Sequence, residues 1–348
     1  MKKISCFLLS TLLLVLPLFG TGCAPALTKF TDYSFDYFDT VTTIVGFEPS
    51  QEKFDTHCDS IKALLGEYHR LYTIYNRYEG VNNLCVVNSS AGESVQVDEK
   101  ILDMLTYAKD MYRLTNGRVN VAMGSVLSVW HQYREEGLND PTAATLPPAD
   151  VLQAAAEHTD IDDVIVDREN GTVRLADPHM KLDVGAIAKG YAVEQVALWM
   201  QEQGMNGYIL NVGGNVRIVG ERQDGEAWTV GIENPDTANT QTPYIAYLKL
   251  GEMSLVTSGS YQRYYTVNGK NYHHIIDPET LMPAENFQSV SVLCKSSAQA
   301  DALSTALFCM TYGEGNKLIE TLSDTEAMWV LPNGEQRYSA GFKDYCEE

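Results

Sequence analysis

The chain is short of positive charge, of paired cysteines and of membrane-length apolar runs. Against 46 aspartates and glutamates stand 25 lysines and arginines, a formal net charge of −21. So acidic a surface repels nucleic acid and anionic lipid, which excludes both as partners. It also repels anionic small molecules, so a phosphorylated ligand needs a local cation or a metal ion. Seven cysteines occur, none in a C-x-x-C or Cys/His spacing that would hold zinc. Cys58, Cys85, Cys294, Cys309 and Cys346 read as mostly buried thiols, with one disulfide possible. No internal repeat and no low-complexity tract is present. The long apolar run, Ile4 to Phe19, is short for a spanning helix.

That run follows Lys2 and Lys3 and leads into Gly20-Thr21-Gly22-Cys23. A basic start, an apolar stretch and small residues before a cysteine make a secretory signal with a lipobox, in which Cys23 takes the lipid. Gly20 stands where lipoboxes usually carry leucine. An ordinary signal peptide or an uncleaved anchor is the competing reading. Either way the domain is exported, lipid-anchored at the outer face of the cytoplasmic membrane or in the periplasm. Residues 1–22 are then the signal, 23–34 a lipidated tether and 35–348 the functional domain. Losing residues 1–22 removes two lysines and no acid, moving the charge from −21 to −23.

Hydrophobic residues make up 45% of the chain, enough for a substantial core. Strand signals run over 37–47, 208–212, 216–219, 228–232, 244–250, 254–257, 264–267, 272–276 and 289–293. Asn170-Gly171 and Asn268-Gly269 read as hairpin turns. Helical periodicity covers 52–72, 99–115, 186–203 and 297–310, while 82–92 reads as loop and 139–150, with three prolines, as linker-like. Strands bunched into hairpins with helices between them predict an α+β class, mostly antiparallel sheets with flanking helices, in a single large domain of two fused lobes.

Five short segments carry chemistry. Asp183-x-Gly185-x-x-x-Lys189-Gly190 puts an acid, two glycines and a cation where a strand turns into a helix, a setting for a phosphorylated ligand. A helix cap and a solvated lysine would account for it equally well. Asp301 and Thr305 share a helix face at i and i+4, with Ser304 beside them; these hard oxygens suit Mg²⁺. A carboxylate facing the helix N-terminus and a hydroxyl bonded to the preceding turn are the plain alternative. Tyr272–Pro278 closes a strand, where a histidine, His273 or His274, is able to serve as a general base or ligand clamp or is an ordinary surface histidine. Because adjacent strand residues face opposite sides, only one of His273 and His274 lines a site. Asn211-Val212-Gly213-Gly214-Asn215 and Thr257-Ser258-Gly259 allow close approach of a ligand, and Tyr75 and Tyr78 are able to stack on a flat ring or simply pack.

Taken in order and spacing, these segments, with Phe38-Asp39-Thr40, Thr115-Asn116-Gly117 and Val129-Trp130, resemble the ApbE family of FAD:protein FMN transferases over nearly the whole mature chain. The resemblance implies Mg²⁺-dependent cleavage of FAD, transfer of FMN to a Thr or Ser hydroxyl of a target protein through a phosphoester, and release of AMP. The target it implies is a subunit of a membrane redox complex. It implies flavin-nucleotide contacts at Phe38, Asp183, Lys189, Ile275 and the backbone of Ala122, Met123 and Gly124, with Tyr78 before Tyr75 as the ring-contacting residue. It implies a metal shell of the Ala186 carbonyl, Asp301 and Thr305 with Ser304 nearby, and His274 as the base. Phe38-Asp39-Thr40 stands where the family usually has Met-Gly-Thr, and Asn120 where it usually has an acid. Competing expectations are an Mg²⁺-dependent FAD pyrophosphatase giving FMN and AMP, and a non-catalytic flavin-binding lipoprotein.

Overall fold

The computed structural model describes residues 27–347. The expected signal and the lipidated cysteine lie outside them. β1 (Thr28–Tyr37) and β2 (Thr40–Glu48) form a hairpin, followed by helices α1 (Gln51–Tyr72) and α2 (Leu84–Ser89). Next come β3 (Ser94–Gln96), α3 (Glu99–Leu114), α4 (Gly124–Asn139), α5 (Ala149–Ala156), β4 (Val164–Asp167), β5 (Thr172–Leu175) and α6 (Ala188–Glu202). β6 (Tyr208–Val212), β7 (Asn215–Val219), β8 (Trp228–Glu233), β9 (Tyr244–Leu250) and β10 (Ser254–Gly259) lead to the hairpin β11 (Tyr264–Val267) and β12 (Lys270–His273). The chain closes with β13 (Ser289–Cys294), α7 (Ser297–Phe308), α8 (Tyr312–Ile319), β14 (Glu326–Val330) and β15 (Gln336–Tyr338).

Eight strands form one sheet in the order β1-β2-β6-β7-β10-β13-β14-β15, and each neighbouring pair is antiparallel. The α+β, mostly antiparallel architecture expected from the strand-rich pattern is present. One face of the sheet carries the main core against α1, α3, α6 and α7. The other face packs on the β8–β9 hairpin around Trp228, Leu248 and Phe342. β13 and β7 lie between the two cores and are buried at every position, so they read as continuous runs rather than alternating ones. A third small cluster, Trp130, Leu152, Tyr265, Val267 and Ile276, fastens α4 and α5 to the β11–β12 hairpin.

Two boundaries differ from expectation. The tether ends before residue 28, because Thr28–Ser34 pair with β2 from Glu48 to Thr42; Phe30 stacks obliquely on Phe54, which holds this strand to α1. The expected strand 37–47 is broken at Phe38 and Asp39, which take φ of 55° and 51° and make the β1–β2 turn. Residues 84–89 and 124–139 are helical, where a loop and no regular element were expected. Asn83 caps the first of these by accepting from Val86 N–H. The five described cysteines are all free thiols, and burial pushes those of Cys58, Cys294 and Cys309 up to about 12, so these three are unreactive near neutrality.

The fold brings α6 and α7 together unusually closely. A Cβ on Gly190 would lie 2.3 Å from Asp301 Cβ and 2.6 Å from the Ser297 carbonyl oxygen. Glycine here serves helix contact, and the gain is a bond from Gly190 N–H to Asp301 Oδ2 at 2.7 Å. Arg217, in fully buried β7, pairs with Glu194 of α6 at 3.3 Å, and Glu194 also accepts from Ser297 N–H at 2.6 Å. The ion pair thus ties sheet and both helices at one point. Gly190→Ala should cost on the order of 3 kcal/mol, the upper range for overpacking. Chemical denaturation would measure it, and a variant as stable as wild type would show that α7 retreats freely.

Candidate functional site

The site lies at the end of the large sheet where β6 stops at Val212, β7 begins at Asn215 and β10 ends at Gly259. Four segments far apart in sequence converge there on α7. Asp301 is buried, with Oδ2 on Gly190 N–H and Oδ1 at 3.8 Å from Lys189 Nζ. One turn on, Thr305 Oγ1 lies 3.4 Å from Ser258 Oγ, which itself meets Ser304 Oγ at 2.8 Å. Ser304 is fully buried and donates to the Asp301 carbonyl. It is therefore committed to the helix and to Ser258, while Asp301 and Thr305 keep the outward positions. Ser296 accepts from Gln299 N–H and caps the helix that presents them.

Lys189 also contacts Asn215 Oδ1. Asn215 is fully buried, and its Nδ2 has no partner among the described residues. Gly213 and Gly214, with φ of 55° and 87°, make the turn that points Asn215 inward. A Cβ on Gly213 would strike the Thr40 side chain at 2.3 Å, so this glycine admits the β1–β2 turn rather than a ligand. Burial lowers the Lys189 ammonium from its ordinary value while Asp301 works against that. Burial raises the Asp183 carboxyl, opposed by the Gly185 N–H that it accepts at 2.9 Å and by the charge of His131. Asp183 thus folds its own turn and does not cap α6. Its N–H donates to the Val121 carbonyl at 2.8 Å, and Met123 is bridged to Lys181, which places residues 122–124 against the Asp183 turn.

His273 ends β12 and His274 lies in the bend just beyond it, so the expected strand 272–276 stops at 273. His273 turns inward, its Nε2 at 2.7 Å from the Ala284 carbonyl and its ring edge-on to Phe308. His274 keeps solvent-accessible surface although protein atoms surround much of its ring, and its Nδ1 lies 3.2 Å from the Arg263 carbonyl. A carbonyl only accepts, so Nδ1 carries the proton and the Nε2 lone pair is left free. Desolvation, then the charges of Arg263, His273 and Arg134, pushes this imidazole down to about 4 against the pull of that carbonyl, so it is neutral near pH 7. Arg263 reaches across to donate to the Asp39 carbonyl at 3.3 Å, which joins the β1–β2 turn to the rim. Arg134 donates to His131 Nδ1 at 2.9 Å, and the His131 ring lies 5.5 Å from Tyr75. Neither arginine has a carboxylate within ion-pair distance among the described residues. Guanidinium groups without a carboxylate partner, in so acidic a protein, leave a local positive field that reaches His274.

The ApbE family profile matches residues 38–329, well over half the chain. The chain belongs to the ApbE family. Among its relatives, a FAD:protein FMN transferase of Klebsiella pneumoniae is 32% identical over 272 residues, covering 78% of this chain and 80% of the relative. The FAD:protein FMN transferase of Treponema pallidum is 29% identical over 276 residues, covering 75% of this chain and 74% of that one. The crystal structure of the ApbE protein from Thermotoga maritima superposes with a TM-score of 0.79 at 26% identity, covering 92% of this chain and all of that one.

Of the residues expected from sequence, this ApbE-family chain sets Lys189 beside Asp301 with Thr305 one turn on, and the Arg263 charge reaches both Lys189 and His274. Ala186 lies on the turn between Asp183 and α6, where Ile187 and Ala188 both donate to the Val184 carbonyl. Phe38 sits at the rim, its N–H on His69 Nδ1 and its ring edge-on to His69. Two expectations shift. Tyr75, not Tyr78, faces the site: it feels the charges of Asp183, Arg134 and Arg263, whereas Tyr78 closes a tight turn with Val81. Ile275 packs into the main core, and its N–H and carbonyl are taken by His273 and Ala284. Asn120 holds the 120–122 turn by accepting from Ala122 N–H and donating to the Thr159 carbonyl, a task an acid could not complete.

Sequence reading missed Arg263, Arg134, His131 and Ser258's part in seating Thr305. The lone arginine between the Thr-Ser-Gly and His-Ile-Ile-Asp-Pro segments was the one available signal, in a chain where cations are scarce. Arg263→Ala should raise the KM for a dinucleotide roughly 10- to 100-fold, the range of one charge-assisted hydrogen bond to a phosphate, and Arg263→Lys should recover part of it. Initial rates against FAD concentration test this, and an unchanged KM would remove Arg263 from the phosphate site.

Proposed function

We propose that the protein is a flavin transferase, an enzyme that moves the FMN half of FAD onto the hydroxyl of a Thr or Ser in another protein, with Mg²⁺, and releases AMP. The observation that carries this is one buried carboxylate and its neighbouring hydroxyl beside Lys189, with the charge of Arg263, which has no carboxylate partner among the described residues, reaching the same lysine, in a molecule of charge −21. That arrangement suits a pyrophosphate and little else. Asp301, Thr305 and the Ala186 carbonyl would hold the metal: a single carboxylate with neutral oxygens matches Mg²⁺, which keeps water and phosphate in its remaining positions. No group of three or more His, Cys, Asp or Glu side chains is gathered for a metal among the described residues, which speaks against a tighter all-protein site. When bound, the ion neutralises phosphate charge.

The chain's own groups do the rest. Lys189 and Arg263 hold the phosphates from two sides, and Asn215, through its unpaired Nδ2, offers a further donor beside Lys189. Tyr75 and Phe38 supply apolar and aromatic surface at the rim for the flat rings. The acceptor oxygen attacks the phosphorus on the FMN side, the anhydride P–O bond breaks, AMP leaves with the electron pair, and the hydroxyl proton passes to His274 Nε2. Export and anchoring through Cys23, and a membrane redox subunit as acceptor, belong to the same proposal and rest on the sequence pattern. Incubation with FAD, Mg²⁺ and a candidate acceptor should add the mass of an FMN ester and release one AMP per ester. AMP and free FMN appearing at the same rate with no ester formed would make the protein a pyrophosphatase. FAD bound and never cleaved would make it a carrier.

A further inference from the structure

The outermost strand of the large sheet exposes an apolar face. β1 lies at one edge of the eight strands and pairs with β2 alone among the described residues. Phe30 and Tyr37 turn inward to the main core, while Lys29, Thr31 and Tyr33 stand on the other side, opposite Phe47, Val45 and Thr43 of β2. Phe47 and Val45 meet the second core under the β8–β9 hairpin, and the face beyond them is open. Tyr33 is 61% exposed, Phe35, in the bulge that follows, 73%, and Val41, facing that bulge from β2, 44%. Single exposed apolar side chains are ordinary, but three together at one sheet edge mark a contact surface. In a chain with 46 acids, the carboxylates of this strand are engaged elsewhere: Asp32 pairs with Lys62 of α1, and Asp36 accepts from Ser34 Oγ at 2.8 Å.

We infer that this face rests on a lipid bilayer, with Tyr33 and Phe35 at the headgroup level and Lys29 beside them. Position favours a bilayer: Cys23, read as the acylated residue, stands five before Thr28, so at most about 18 Å of chain separates the lipid from the strand. Chemistry favours it too, since aromatic rings and a lysine are the side chains that settle at a membrane–water interface. The bulge between Ser34 and Tyr37 interrupts the free edge of the strand, which disfavours pairing with a second copy. The inference rests on the anchored reading of Cys23. Its consequence concerns the site: β1 runs from the anchor to the Phe38–Asp39 turn, and Arg263 donates to the Asp39 carbonyl there. A hairpin lying on the bilayer therefore holds the rim of the site at the membrane surface, where the hydroxyl of a membrane-embedded acceptor emerges.

The test uses the full chain, made with its leader, extracted from membranes and reconstituted on vesicles of phosphatidylcholine or of the same lipid with brominated acyl chains. Tryptophan replaces one exposed residue at a time, and the emission of the wild-type tryptophans is subtracted. Bromine should quench Phe35→Trp and Val41→Trp about twofold or more. It should leave Leu198→Trp, on α6 at the other face of the sheet, unquenched. Adding Tyr33→Asp and Phe35→Asp to Val41→Trp should abolish its quenching, with melting temperature and FAD affinity unchanged. Equal quenching at all three positions, none on the sheet face, or quenching of Val41→Trp that survives both aspartates would overturn the inference. So would a blue shift of Phe35→Trp that grows with protein concentration in the absence of vesicles, which would assign the face to a second copy. An intact mass with no acyl group on Cys23 would instead overturn the anchored reading, and quenching of Phe35→Trp by added vesicles would then decide the bilayer contact by itself.

Discussion

Asp301→Ala should abolish flavin transfer, lowering the rate on the order of 10³-fold or more. If Asp301 holds the proposed Mg²⁺, the charge stabilisation the ion would supply is worth several kcal/mol, and each 1.36 kcal/mol is about tenfold in rate. The same substitution strips the acceptor from Gly190 N–H at the closest approach of α6 and α7, and an unpaired buried donor costs about 1–3 kcal/mol. Loss of activity in this variant therefore mixes chemistry with folding. Asp301→Asn separates them, because its amide oxygen still accepts from Gly190 while the negative charge is gone. It should unfold near the wild-type midpoint and yet be almost as inactive as the alanine variant. Ester formation by intact mass and a thermal melt on the same preparation are sufficient. Normal flavinylation by the asparagine variant would remove Asp301 from the metal site.

His274→Ala should lower the rate of transfer about 10²- to 10⁴-fold, the usual share of a positioned base, with FAD affinity little changed. The pH profile carries a sharper signature. With its imidazole pushed down to about 4, free His274 is neutral well below the ordinary 6.5. The acid limb of kcat/KM, which reports the free enzyme, should therefore not fall as pH passes down through 6.5. Bound phosphate charge favours the imidazolium, so the limb in kcat should move to higher pH than that in kcat/KM. An acid limb identical in His274→Ala would exclude this residue as the base, and a wild-type kcat/KM limb at or above 6.5 would show that its surroundings do not hold the free imidazole down.

The pairing of Tyr75 with the site illustrates what pattern reading leaves open. Tyr75 and Tyr78 are three residues apart in one irregular segment, and no periodicity decides which faces inward. The choice falls to α4, whose His131 packs against Tyr75, and α4 itself was not foreseen because Gly124–Asn139 has no clear apolar stripe. Its apolar residues meet the small cluster around Tyr265 and Ile276 instead of the main core. Likewise Ile275 follows the base directly, yet its buried position follows from the return of the chain through Ala284.

What the sequence determined alone was local and periodic: the helix that spaces Asp301 and Thr305 by one turn, the glycine turns, and a charge balance that makes cations informative. Those follow from bond geometry and from side-chain spacing within single segments. Only the tertiary structure decided which groups share a site, because Lys189 with Asn215, Arg263 with the β1–β2 turn, and Asp301 with Gly190 are contacts between segments joined by long, unpatterned stretches. Their positions are set by how α6 and α7 pack on the sheet and by where each strand ends, and packing of that kind is a property of the whole chain.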